Sequence, residues 1–93
     1  MKEEIKTKAK FYLQQYAENL SDKIGVIKTF LCQQERNVAY HTKRKANPSI
    51  DKKDETDADW AIEYYQEKVA DWKDKLEKKS YALKEIDEII NQL

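Results

Sequence analysis

Apolar residues recur along the first half of the chain at intervals of eleven: Ile5, Tyr16, Ile27 and Val38. Ala9, Leu20 and Leu31 repeat the interval beside them, and Leu13 and Ile24 fill the other flank. Eleven residues make three helical turns of about 3.67 residues each, so the pattern predicts a nearly straight or slightly right-handed helix over about residues 2–45. Its phase passes unbroken through Ser21 and Gly25. One helix is therefore expected, although Ser21 is a competent N-cap and Gly25 costs about 1 kcal/mol relative to Ala. From Ala58 the period changes to seven: Ile62, Tyr65, Val69, Trp72, Leu76, Lys79, Leu83, Ile86, Ile90 and Leu93 alternate in steps of three and four. Only Lys79 interrupts this row, which predicts a second helix over about residues 58–92 packed lengthwise on another helix. A charge in such a row has to be paired or reach water along its flexible stem, and Glu18 or Asp22 is the expected partner of Lys79.

Between the two patterns, residues 46–57 carry no stripe. Pro48 disfavours a helical conformation at Asn47, which makes this segment the connection, with Thr56 or Asp57 as cap of the second helix. The fold expected is all-α: one helical domain over residues 1–93, a long, coiled-coil-like antiparallel hairpin. A three-helix bundle broken near Ser21 is the alternative.

Two narrow stripes do not use all the apolar residues. Tyr12, Val26 and Phe30 widen the first helix, and Trp60, Tyr64, Ala82 and Ile89 form a second strip on the next. Apolar patches of this extent usually mark contact surfaces, so a homodimer of hairpins forming a four-helix assembly is expected. Trp60, Tyr64, Phe30 and Tyr12 are the candidate partner-binding residues, because aromatics dominate interface energetics. Phe11 and Tyr40, and Tyr81 on the second helix, fall roughly opposite the packing stripes and are read as isolated exposed rings.

Composition agrees with long helices: 39% charged and 40% hydrophobic residues, with one Gly and one Pro. The net charge is zero, but residues 1–47 hold 10 basic and 5 acidic side chains and residues 48–93 hold 8 and 13, or +5 against −5. The most basic stretch supplies Arg36, Lys43, Arg44 and Lys45 as candidate phosphate-binding residues. The same cations complement the negative end of the first helix without any ligand.

Catalysis finds little support. Cys32 and His41, the lone members of their kinds, stand nine residues apart, about 13 Å along a helix axis. One glycine cannot build a phosphate loop, and a calcium loop counted from Asp51 would place Thr56 and Ile62 where Gly and Glu are required. No cofactor or metal is expected, and no enzyme. A single cysteine and the lack of an apolar run of about 18 residues point to the cytoplasm and away from membranes.

The chain length, the hairpin form and Tyr81-Ala-Leu-Lys-Glu85 resemble the small helical hairpins exported by Gram-positive specialised secretion systems, whose tail signal is Tyr-x-x-x-Asp/Glu. That family's Trp-x-Gly turn is absent. Trp60 opens a predicted helix and is followed by Ala61 and Ile62, so the chain is not assigned to the family. The function expected is that of a non-catalytic adaptor, or a stoichiometric inhibitor or regulator, contacting itself and another protein. A nucleic-acid-binding module using the basic end of the first helix is the alternative.

Overall fold

Two helices account for nearly all of residues 2–93, the residues described in a computed structural model: α1, Glu3–Lys45, and α2, Lys52–Gln92. They pack side by side as an antiparallel hairpin measuring 72 × 14 × 14 Å. Helix α1 is continuous through Ser21 and Gly25, which removes the three-helix alternative.

The connection is shorter than its composition suggests. Helix α2 begins at Lys52, six residues before the first apolar contact at Ala58, and its cap is Asp51 in place of Thr56 or Asp57. The Asp51 carboxylate accepts from the Asp54 backbone N–H at 2.8 Å, and Asp54 and Glu55 lie in the first turn, where the helix dipole favours acids. Thr56, inside the helix, donates its hydroxyl to the Lys52 carbonyl. Periodicity cannot reveal this start, because residues 52–57 are exposed on every side. At the other end of the connection, Lys43, Arg44 and Lys45 occupy the last turn of α1, and the Asn47 side chain accepts from the Ser49 backbone N–H to turn the chain.

The seam of α2 follows its seven-residue row, every member being buried or half-buried. That of α1 differs from the eleven-residue reading. Ile5 and Tyr16, two anchors of that reading, are 54% and 55% exposed. The side chains facing α2 are Leu13, Ala17, Leu20, Ile24, Ile27, Leu31, Gln34, Val38 and His41, again in steps of three and four. The two patterns share Leu13, Leu20, Ile24, Ile27, Leu31 and Val38, so the middle of the helix satisfies both. Two helices in lengthwise contact must share one period, and the row on α2 selects seven, the spacing of left-handed supercoils. Lys79 is half-buried in this seam. Its ammonium forms no ion pair with Glu18, Asp22 or any other acid among the described residues, so the expected partner is missing.

Two ring contacts fix the register: Phe30 on Trp72, with centroids 5.1 Å apart, and His41 on Tyr65, at 5.6 Å. Extended along both helices, this register brings Leu93 level with about residues 9–13. The first two turns of α1 consequently project beyond the end of α2.

Candidate docking surface on the aromatic flank

A hairpin has two broad flanks, one on each side of its seam, and here they differ in kind. One carries Gln14, Ser21, Lys28, Glu35 and Thr42 from α1, and Asp59, Gln66, Lys73, Ser80 and Asp87 from α2. Each set recurs every seven residues and all ten are exposed. Ser21 and Lys28 share an open groove with Ser80 and Asp87, and Glu35 shares another with Gln66, which places the two rows on the same side.

The opposite flank carries the surplus apolar residues. On α1, Ile5, Tyr12, Val26 and Tyr40 lie at multiples of seven, with Tyr16 and Phe30 four residues beyond Tyr12 and Val26. On α2, the same side presents Tyr64, Ala82 and Ile89, with Trp60 stacked on Tyr64. Of the large apolar side chains exposed among the described residues, Phe11, Trp60 and Tyr81 have backbone positions off this flank, Trp60 and Tyr81 on the outer ridge of α2. The Trp60 ring reaches the flank by stacking on Tyr64. Three of the four predicted contact residues lie on it, Tyr12 at 66% exposure and Phe30 and Tyr64 at 41% each, and the fourth, Trp60 at 67%, joins it through its stack on Tyr64.

Ring contacts organise the flank into clusters. Near the turn, Trp60 stacks on Tyr64 at 5.4 Å, Tyr64 meets Tyr65 edge-on at 5.2 Å, Tyr65 stacks on His41, and His41 meets Tyr40 at 5.0 Å. At mid-length, Phe30 lies on Trp72, whose ring also takes the Lys75 ammonium at 4.5 Å. The Lys68 ammonium stands 5.3 Å from the centre of the Tyr64 ring. Such contacts contribute roughly 0.5–1.5 kcal/mol each beyond burial, enough to hold exposed rings in one arrangement before a partner arrives. Near the open end, Tyr12 and Tyr16 lie about level with Ile89.

The sequence pattern puts Tyr40, with Phe11, on the far side of α1 and Tyr16 in the packing stripe. Both belong to the aromatic flank. The signal was present in the multiples of seven linking Tyr12, Val26 and Tyr40, and was hidden by the eleven-residue phase. His41 and Tyr65, which join the rings of the two helices, carried no such signal, because their contact depends on register.

The four candidate phosphate ligands are not held together. Arg44 pairs with Asp54 at 3.6 Å and donates to His41 Nδ1 at 3.4 Å, while Lys45 pairs with Asp59. Lys45 is held above the ordinary lysine value of 10.5, first by the hydrogen bond to the Asp59 carboxylate and then by its charge. Arg36 and Lys43 stand exposed seven residues apart on the outer ridge of α1, with no ion pair among the described residues. The acidic start of α2 thus engages half of the basic cluster.

No family model, curated protein or solved structure matches the chain. No helix among the described residues is long and apolar enough to cross a membrane.

Proposed function

We propose that this chain is a non-catalytic interaction protein, an adaptor or stoichiometric regulator, whose aromatic flank is a protein-docking surface. The supporting observation is segregation: the two seven-residue rows on one flank of the seam are entirely polar, while the other flank gathers most of the exposed large apolar side chains. Scattered exposed rings need no explanation, but a row more than twenty residues long with pre-stacked members has the composition of an interface core. A long helical face from another protein, or a second hairpin, has the shape to cover it. The lone Cys32, unpaired and exposed, suits a reducing compartment, and the cytoplasm is the location we infer.

The test compares a tagged chain with two double variants in its cell of origin. Tyr12→Lys/Tyr64→Lys alters the aromatic flank, and Ser21→Lys/Ser80→Lys alters the polar one. A partner retained by the wild type and the polar-flank variant but lost by the aromatic-flank variant is the expected outcome. If both variants retain every partner, the docking assignment is wrong. The nucleic-acid alternative draws its support from Arg36 and Lys43, and it requires binding that falls steeply with salt and weakens on replacing those two residues by Gln.

A further inference from the structure

The accessible surface of this hairpin is 7447 Å², against about 5,700 Å² for a compact monomer of its 11.1 kDa mass. A flank of 72 × 14 Å offers roughly 1,000 Å² in projection, close to the ~800 Å² that each partner contributes to a standard interface. One further hairpin of the same dimensions would cover the flank over the length that the two helices share.

Two hairpins meeting through this flank about a two-fold axis have two arrangements available. With the axis across the hairpin, the turns lie at opposite ends and each helix meets its own counterpart. The half of the chain bearing +5 then lies on the same half of the other copy, as does the half bearing −5. Lys68 and Lys75, which lie near mid-length of α2 on this flank, would face the same lysines across the interface. With the axis along the hairpin, the turns lie together, and α1 of each copy meets α2 of the other. The half bearing +5 then faces the half bearing −5, and levels along the rod are preserved. Tyr40 comes level with Tyr64 of the second copy, Tyr12 and Tyr16 with Ile89, and Lys23 falls about one turn from Glu85 on one side and from Lys78 on the other. Val26 and Phe30 meet the aliphatic stems of Lys75 and Lys78. Like-charge juxtaposition selects against the first arrangement, while the second gives every apolar cluster of α1 an apolar surface to cover.

We propose that a second copy of this chain occupies the aromatic flank, in a two-fold dimer with both turns at the same end and α1 of each copy against α2 of the other. This rests on reading the flank as a protein-docking surface. The test places a spin label at Ser49→Cys in a Cys32→Ser background and combines pulsed electron-resonance distances with sedimentation. The expected result is a dimer whose Ser49 labels lie well under half of the 72 Å molecular length apart. A dimer with label separations near the full length overturns the proposed arrangement. A monomer at high micromolar concentration overturns the second copy as occupant and leaves the flank open to a foreign protein. Trp60→Lys/Tyr64→Lys should weaken self-association about 100-fold with helicity unchanged, while Ser21→Lys/Ser80→Lys leaves it intact. If the polar-flank variant dissociates the dimer and the aromatic-flank variant does not, the docking assignment falls together with the proposal.

Discussion

At the scale of single residues, burial separates side chains that the sequence pattern treats as equivalents. Leu20 and Ile5 both belong to the eleven-residue stripe, yet Leu20 is 3% exposed in the seam while Ile5 projects beyond the end of α2. Leu20→Ala should cost about 2–5 kcal/mol in urea unfolding, and Ile5→Ala less than about 0.5 kcal/mol. Equal losses would restore the eleven-residue packing. Lys79 keeps its seam position without a paired acid, so its contribution is the packing of its stem against the cost of holding a charged side chain in an apolar row. Lys79→Leu should raise the melting temperature, whereas a fall would show that the stem and its charge fit their surroundings better than a leucine does. The Lys45–Asp59 pair acts in a definite pH window. Because the folded state raises the lysine pKa, its contribution is complete below 10.5 and is lost as pH rises through the folded value. The unfolding difference between the wild type and Lys45→Gln should therefore hold steady from pH 7 to 9 and disappear only in stronger alkali.

At the scale of the helix, the two termini nearest the connection differ in how they are held. Asp51 caps α2 through a side-chain bond, and Asp51→Ala should cost about 0.5–2 kcal/mol. Gly25 lies mid-helix on an exposed face, and a Cβ built there meets nothing within 4 Å. Gly25→Ala should therefore stabilise the protein by roughly 0.5–1 kcal/mol, measured by chemical denaturation. Helix α2 was legible over its apolar length, because ten positions in strict three-and-four steps leave one packing face available. Its first six residues were not, since an exposed helical turn has no face to mark. Helix α1 was legible as a helix but not in phase: the central residues Leu20, Ile24, Ile27 and Leu31 fit either period, and the choice lay in the partner helix. The aromatic candidates survived this error because Tyr12, Phe30, Trp60 and Tyr64 were chosen for lying outside the seam, and both phases leave them there.

At the scale of the molecule, 43 and 41 of the 93 residues are helical, so circular dichroism should report a helical fraction well above three-quarters. The Cα radius of gyration is 20.9 Å, against about 12 Å for a compact domain of this length. Small-angle scattering should return the profile of a rod, and growth of its cross-section with concentration, at little change in length, would mark side-by-side association. The single six-residue connection also dictates the order in which such a rod can assemble. Closing it brings Arg44 to Asp54 and Lys45 to Asp59, and each later contact forms one helical turn further from a closed end, with little additional loop entropy to overcome. Folding should then run as a zipper from the turn, so Asp51→Ala slows refolding while Leu13→Ala, near the free ends, mainly accelerates unfolding. Amide hydrogens near residues 3–13 and 88–93 should exchange with solvent first, ahead of those around the Phe30–Trp72 contact, a gradient of opening along a chain whose secondary structure is nearly uniform.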